Sequence, residues 1–535
     1  MVSLWGSKNN ENDDGDDGTP TDGEGSRPQS RNPPAERRSR DPDERTRLIP
    51  PRHDGFLDPD DPAVSPYNLW SVRALRYFTV LFLVITFLWW VLLLVSIFIS
   101  PPMMHSRGSG FFDFAFTTLT LGNLLIALLF FSTPSKAMQI SGMIVAGFLL
   151  VDMIIILAVP RLRVEEGWVG IASVIWAAVI SLFNVAADRV VTWGKKEEEE
   201  RLTGRQETRR TLREWCAVLT STVIMVVLII VTILLTATLI LRSRDASLAP
   251  PGERYYVDSD KYQVHLACVG EVTVNPAGER NPTVLIEGGE NPVEDSFEDW
   301  VYDARQNGTI DRYCYWDRPG LGWSDNAPSP FSAGMSSDAL SEALARAGEE
   351  GPFVLLSAGV GGIYSRVFSS RHVGGIHGIF LIDALHEDLL YTIASPARGF
   401  RLWAEGVITP LGLRRLWGAI VQGRTREDRV YGRSAYQSGK YLKAKLQENL
   451  VANSFTRKEV NQARIIQQKD TPLVVVSSGI ETRRDNEWER KQRDLTKVTD
   501  NLIAWDVVNK APHEVWKTHE GRQILEKRLG ELVNR

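Results

Sequence analysis

The stretch LLSAGVGGIYS, residues 355–365, predicts a buried strand, a tight turn and the start of a helix. Apolar Phe353 and Val354 extend the strand in the N-terminal direction. Small residues at the turn let neighbouring backbones approach closely, and these residues are Ala358, Gly359, Gly361 and Gly362. A turn of this kind between a strand and a helix is a candidate functional site, and the rest of the chain is interpreted around it.

The composition of the chain limits the classes of function that need to be considered. With 535 residues, the chain is long enough for two or more domains. Its net charge of -5 gives no reason to expect a nucleic-acid partner. Its three cysteines are too few for a disulfide framework and lack the spacing of metal ligands, so neither a metal nor a cofactor is predicted.

Residues 1–66 are polar and predict a disordered tail. Within it, Glu44, Leu48 and Ile49 resemble the acidic dileucine signal through which sorting adaptors route membrane proteins to vacuoles or lysosomes. This resemblance predicts an adaptor as a partner and a vacuole-like membrane as the location. A chance occurrence of so short a pattern stays open, as does a mitochondrial membrane.

Residues 67–245 contain long apolar runs and predict a multi-pass α-helical membrane region. A helix needs about 20 apolar residues to cross the hydrocarbon core of a bilayer. A soluble helix of that length would show a polar face, and these runs do not. Five membrane-spanning helices are therefore predicted, at about 78–99, 111–131, 138–159, 168–187 and 216–241.

The orientation in the bilayer follows from the lysines and arginines that flank the runs, which favour the cytosolic side. The segment 189–213 and the residues before the first run carry most of these charges and lie on the side of the tail. The tail is therefore predicted to be cytosolic and the part after the fifth run lumenal. The smaller set of basic residues on the opposite side is Arg107, Arg161, Arg163, Arg242 and Arg244.

Three further residue patterns bear on the environment of the chain. Asn307 begins an Asn-Gly-Thr glycosylation acceptor, which is used only in a lumen. Cys268 and Cys314 fall in strands predicted to be neighbours, where an oxidising compartment would join them. Asp152 interrupts the third apolar run and is a candidate functional acid within the membrane.

Residues 253–535 alternate short β-rich runs with amphipathic stretches, which predicts a parallel sheet covered by helices. A helical insertion at about 387–469 and a last helix at about 518–532 complete this pattern. The predicted strands are 254–258, 262–269, 283–287, 313–317, 353–356, 378–383, 472–477 and 502–507.

Four motifs in this part of the chain resemble the α/β-hydrolase family in collinear order. YWDRPGLGWSD, at 315–325, is similar to the loop after the fourth strand, and VLIEGG, at 284–289, is similar to the third strand and its oxyanion-side loop. LIDA, at 381–384, resembles the end of the sixth strand, and APHE, at 511–514, resembles the segment that carries the catalytic histidine. The membrane region resembles that of fungal integral membrane proteins of unknown function.

This resemblance implies an eight-stranded, mostly parallel sheet of α/β-hydrolase type with a helical lid, and it assigns roles to particular residues. The base would be His513, the acid Asp383 or alternatively Glu481 or Asp485, and the oxyanion donors Val360 with Gly288 or Gly289. The family presents its serine in G-x-S-x-G. Gly359 stands where the serine is expected and has no side chain to form an acyl-enzyme.

Three functions remain open from the sequence. The first is a hydrolase-fold protein that has lost serine chemistry and binds a ligand or partner. The second is an active hydrolase of lipid-like or small ester substrates, which would use Ser357 or a water oriented by His513. The third is a membrane protein whose spans carry the function. The apolar lid, with residues such as Leu402 and Trp417, is compatible with an apolar ligand.

Overall fold

The computed structural model describes residues 66–104, 107–204, 212–276 and 278–535. The sorting-signal residues Glu44, Leu48 and Ile49, and the tail up to residue 65, lie outside the described residues. The membrane region and the α/β domain are parts of one compact unit, 57–535.

Among the described residues of the N-terminal region, five helices are long and apolar enough to cross a membrane, which confirms the predicted number. Four of them extend beyond the predicted runs, because polar and charged residues continue the helix outside the apolar segment. In α4, Gly167 has φ +61° and marks a kink near the start of the helix. The five helices are α1 (Trp70–Phe98), α2 (Phe111–Leu129), α3 (Lys136–Ala158), α4 (Pro160–Thr203) and α5 (Leu212–Asp245).

Apolar side chains hold α2 to α5 together in one cluster that includes Phe116, Leu149 and Leu235. Hydroxyl groups within the bundle bond to the backbone of their own helix, as Thr232 does to the carbonyl of Leu228 at 2.7 Å. Asp152 of α3 is completely buried in the bundle. Several hydroxyl groups of the bundle are therefore satisfied within their own helix, and Asp152 is one of the acids buried in its interior.

The α/β domain is built on one eight-stranded, mostly parallel sheet, as predicted. Its strand order is β1-β2-β4-β3-β5-β6-β7-β8. The first three strands in this order pair antiparallel, and all other pairs are parallel. The strands are β1 (Glu253–Val257), β2 (Tyr262–Val269), β3 (Thr283–Gly288), β4 (Tyr313–Trp316), β5 (Phe353–Ala358), β6 (Ile376–Ile382), β7 (Pro472–Ser478) and β8 (Asn501–Val508).

Helices cover both faces of this sheet, because the central strands are apolar on both sides. One face packs against α6 (Phe297–Gln306) and α17 (His519–Val533), and the other against α7 (Ala333–Ala347) and α8 (Gly361–Arg371). After β7 come α15 (Gly479–Arg484) and α16 (Asn486–Leu495). Between β6 and β7 lie α9 (Leu390–Ile393), α10 (Pro396–Ile408), α11 (Leu413–Ile420), α12 (Arg426–Val430), α13 (Gly439–Val451) and α14 (Arg457–Ile466).

The predicted disulfide and the predicted glycosylation acceptor lie on the sheet and its surface. Cys268 and Cys314 are directly opposite each other in β2 and β4, and their sulfurs are bonded in a disulfide. Asn307 is exposed at the end of α6, where its amide donates a hydrogen bond to Glu526 at 2.8 Å. Glycosylation of Asn307 remains a prediction.

Polar contacts join the membrane helices to the α/β domain. Arg161, at the start of α4, is paired with the completely buried Asp325 at 2.5 Å. Arg107, before α2, donates to the carbonyl of Lys261 at 2.8 Å. Arg107 and Arg161, two of the basic residues on this side of the bundle, thus serve as contacts to the domain.

We expect Arg161→Ala to lower the free energy of unfolding by about 3–5 kcal/mol, because it leaves the buried carboxylate of Asp325 without its partner. Thermal unfolding of the full-length protein in detergent measures this change. Arg163→Ala is the matched control, since Arg163 is exposed two residues away. Equal losses from both variants would contradict a specific role for the buried pair.

Candidate functional site

The turn after β5 has the backbone geometry of a nucleophile elbow. Gly359 has φ +47°, a conformation that favours glycine, and α8 begins two residues later. A Cβ on Gly361 would overlap the carbonyl of Gly288, and one on Gly362 would press on Ala384. The glycines therefore let the elbow fit between the ends of β3 and β6.

Asp383 and His513 meet at the carboxyl end of the sheet. The Nδ1 of His513 lies 2.7 Å from Oδ2 of Asp383. The other oxygen of Asp383 accepts hydrogen bonds from the backbone N–H of Ser478 at 2.9 Å and from the indole of Trp488 at 3.0 Å. Asp383 is completely buried, so this carboxylate is held in one orientation toward the imidazole.

The alternative acids that follow β7 occupy other positions. Glu481 lies in the first turn of α15, and its carboxylate is 3.9 Å from the guanidinium of Arg484. Asp485 caps α16 by accepting from the N–H of Glu487 at 2.8 Å. Neither of them forms a described hydrogen bond with His513.

Ser357, the alternative nucleophile, lies inside the domain beneath the elbow. Its hydroxyl is 2.8 Å from that of Ser365, and both residues are buried. No hydrogen bond joins Ser357 to His513 in the part of the chain that the structure describes. The imidazole instead faces a residue that the sequence motifs did not indicate.

That residue is Glu290, in the loop after β3. Its Oε1 accepts a hydrogen bond from the N–H of Val360 at 2.9 Å, and its Oε2 is 3.4 Å from Nε2 of His513. A Cβ placed on Gly359 would overlap this carboxylate. Glu290 therefore occupies the space above the elbow and takes up the Val360 N–H that was predicted as an oxyanion donor.

The charges of this cluster shift the pKa values of both partners. Burial alone would raise the pKa of Glu290, but the hydrogen bond and charge of His513, with the N–H of Val360, lower it to about 2. Burial alone would lower the pKa of His513, but hydrogen bonds to Asp383 and Glu290 raise it to about 11. At neutral pH the site is thus an imidazolium between two carboxylates.

Buried ionic contacts fix the loop that carries Glu290. Arg318, from the loop after β4, donates to the backbone carbonyl of Glu287 at 3.1 Å and to that of Gly289. Glu287 accepts from the indole of Trp316 at 2.9 Å. These contacts fix the backbone of Gly288 and Gly289 beside the elbow, so that the side chain of Glu290 lies over the elbow.

The insertion between β6 and β7 also reaches this loop. The hydroxyl of Tyr441 in α13 donates to the side chain of Asn291 at 3.1 Å, and the hydroxyl of Tyr436 contacts Asp295. The side chains of Glu290 and His513 nevertheless remain 42% and 33% exposed. A solute can therefore reach both groups.

A second cluster, of His265, Glu294 and Asp317, lies in the interior and has three groups that could hold a small cation. Their ligand atoms lie within 4.8 Å of one another. Burial and the nearby charge of Asp317 raise the pKa of Glu294 well above its usual range. Without a cation, a proton on Glu294 therefore relieves the repulsion between these carboxyl groups.

Comparisons of sequence give the family of the chain. Residues 42–268 match a region of unknown function, DUF2417. An uncharacterized protein of Schizosaccharomyces pombe is 35% identical over 506 residues, which are 89% of this chain and 92% of that protein. The chain belongs to the family of this fission-yeast protein. An uncharacterized vacuolar membrane protein of Saccharomyces cerevisiae is 28% identical over 328 residues, 52% of this chain and 50% of that protein.

Solved structures similar to the chain are α/β hydrolases. One, MGS-M2 from a deep-sea metagenome library of the Medee basin, has 11% identity and a TM-score of 0.39, covering 53% of this chain and 98% of its own. Alpha/beta hydrolase domain-containing protein 10 from mouse has 12% identity and a TM-score of 0.34, covering 53% and 99%. The fold is assigned from the strand order and from the geometry of the elbow.

We expect His513 to resist diethyl pyrocarbonate at pH 7, because this reagent modifies the neutral imidazole and the raised pKa keeps the ring protonated. In Glu290→Gln the loss of the negative charge lowers the pKa of His513, and the rate of modification should rise roughly tenfold or more. Mass spectrometry of the peptide measures this rate. The exposed His519 provides an internal control that reacts in both proteins; fast modification of His513 in the wild type would contradict the ion pair.

Proposed function

We propose that this chain is an integral protein of the vacuolar membrane whose lumenal α/β-hydrolase-fold domain binds a ligand and does not perform serine-type catalysis. The observation that carries the proposal is the position of Glu290, whose carboxylate fills the place of a serine side chain. Gly359 supplies no nucleophile. The vacuolar location is supported by the name of the budding-yeast relative and by the dileucine-like motif of the tail.

The groups that hold Glu290 suggest what the ligand is like. The N–H of Val360 and the imidazolium of His513 both bind one carboxylate, and the N-terminus of α8 adds a favourable dipole. A ligand with a carboxylate, or with a strongly polarised carbonyl oxygen, would satisfy the same donors when Glu290 turns away. The glutamate would then act as an internal competitor of the ligand.

The proposal predicts that a fluorophosphonate probe leaves the wild-type protein unlabelled. Gly359→Ser alone should also remain unlabelled, because its side chain meets the carboxylate of Glu290. The double variant Glu290→Ala/Gly359→Ser removes this overlap and should be labelled, since the new hydroxyl then faces His513 and the free N–H of Val360. Gel fluorescence of the full-length protein in detergent measures the labelling.

His513→Ala in the double variant is the matched control and should abolish labelling. Labelling of the wild-type protein that disappears in Ser357→Ala would overturn the proposal in favour of an active serine hydrolase. A folded double variant that stays unlabelled would contradict the account of Glu290 as the group that fills the elbow.

A second candidate function is hydrolysis with Glu290 as the nucleophile, favoured by the position of its two oxygens. Val360 binds Oε1, and Oε2, which is 3.4 Å from Nε2 of His513, would leave this contact to attack an alkyl carbon of the substrate. The C–O bond at that carbon breaks, and protonated His513 gives its proton to the departing oxygen. The neutral imidazole then takes a proton from water, which attacks the glutamyl ester. The ester breaks, the alcohol leaves with the proton that His513 took from the water, and the new carboxyl group of Glu290 returns its own proton to His513, which restores the starting ion pair.

This second function predicts covalent capture of Glu290 by an epoxide-bearing probe, because opening an epoxide needs a carboxylate and a proton donor. Peptide mass spectrometry should locate the adduct on Glu290 in the wild type and find none in Glu290→Gln. Asp485, an exposed carboxylate elsewhere on the domain, provides the comparison. Adducts at Asp485 without any at Glu290 would rule out the nucleophile.

A further inference from the structure

A polar cavity of about 110 Å³ lies where the membrane helices, the sheet and the lid insertion meet. The ends of α4 and α5 contribute Arg161 and Arg242. The first strand of the sheet contributes Arg254, and the insertion contributes Arg415 and Lys440. The cavity is separate from the Glu290 site, none of whose residues lines it.

The charge balance of this cavity is positive. Six basic side chains line it, the five above and Arg429. Four of the six are paired with carboxylates: Arg161 with Asp325, Arg242 with Glu165 and Glu166, and both Arg415 and Arg429 with Asp245. Among the described residues, Arg254 and Lys440 have no such partner, so two positive charges remain uncompensated.

The unpaired nitrogens are buried donors. The Nε atoms of Arg254 and Arg415 have no hydrogen-bond partner in the described part of the chain. The guanidinium of Arg254 lies over the ring of Trp323, 5.9 Å from its centre. Lys440 donates to the carbonyl of Gly322 at 2.7 Å. Buried donors of this kind are costly unless a ligand accepts their hydrogen bonds.

The cavity also lies at one end of the bundle of membrane helices. It is lined by the last residues of α5, Arg242 and Asp245. Beside it, Gly412 packs so closely on Thr238 of α5 that a Cβ would overlap the threonine. The adjoining helix α11 and the residue after it expose Trp417, Ile420 and Val421. Apolar side chains next to a basic cavity are typical of the boundary between acyl chains and head groups.

We propose that this cavity binds a phosphate group. A tetrahedral oxyanion with up to two negative charges matches the two uncompensated cations, and guanidinium groups bind phosphate oxygens in a fixed geometry. The volume is several times the ~10–15 Å³ that one water needs, which leaves room for five heavy atoms. The same chemistry is offered by a phospholipid head group and by free phosphate.

Occupancy of this cavity would link the membrane helices to the α/β domain. Arg254 belongs to β1, Lys440 to α13, and the paired arginines to α4, α5 and the insertion. A ligand that contacts both unpaired cations holds β1 and α13 together against the bundle. Since α13 also contacts the loop of Glu290 through Tyr441, binding would tighten the elements around the candidate site.

The test uses the full-length protein in neutral detergent and in phosphatidylcholine nanodiscs, with thermal unfolding as the measurement. Inorganic phosphate is titrated in detergent, and phosphatidic acid is added to the nanodiscs. We expect at least one of them to raise the unfolding temperature in a saturable way. Stabilisation by inorganic phosphate identifies a free anion as sufficient, and stabilisation by phosphatidic acid alone identifies a lipid head group.

Arg254→Gln and Lys440→Gln should each weaken the apparent affinity at least tenfold. Neither leaves a carboxylate unpaired, so both variants are expected to fold. Arg493→Gln is the matched control, because that guanidinium lies over Trp505 at 5.6 Å but lines no part of the cavity, and its affinity should equal that of the wild type. Absence of stabilisation by both ligands, or equal affinity in all variants, would overturn the proposal.

Discussion

The carboxylate of Glu290 is the contact on which the rest of the site depends. It joins the loop after β3 to the N–H of Val360 at the elbow and to the imidazole of His513. Its position requires that residue 359 have no side chain, since a Cβ there would overlap it. The vacancy at the elbow and the acidic residue above it are therefore two parts of one arrangement.

Much of the architecture around this contact could be predicted from the sequence. The apolar runs predicted five apolar helices, and the alternation of strands with helices predicted an eight-stranded sheet. Both patterns extend over many residues, because whole helices and strands bury their apolar side chains. The order of motifs also placed Asp383 and His513 at the same edge of the sheet. The structure brings these two side chains to 2.7 Å.

Glu290 was missed because nothing in its immediate sequence marks it. It follows two glycines in a loop, where neither helical nor strand periodicity applies, and its contact with Val360 spans 70 residues. One feature of the sequence could have indicated its role: an acidic residue follows the predicted oxyanion loop in a chain that has a glycine in place of the elbow serine.

Ion pairs at the junction between the α/β domain and the membrane region are a second constraint on the structure. The number of basic residues beside each span does not reveal these pairs. Arg161 and Arg242 were counted as flanking charges of the spans, and in the structure both are paired with carboxylates. Arg254 and Lys440 lie beside them without such partners. The domain and the bundle thus share one ionic interface, whose remaining positive charge faces a cavity.

An experimental structure of the full-length protein would show whether the carboxylate of Glu290 occupies the elbow. Cryo-electron microscopy at a resolution that shows side chains would measure the distance from Oε1 of Glu290 to the backbone nitrogen of Val360. We expect a hydrogen bond of about 3 Å, with His513 on the other side of the carboxylate. A Glu290 side chain turned to solvent, with the elbow open above Gly359, would contradict it.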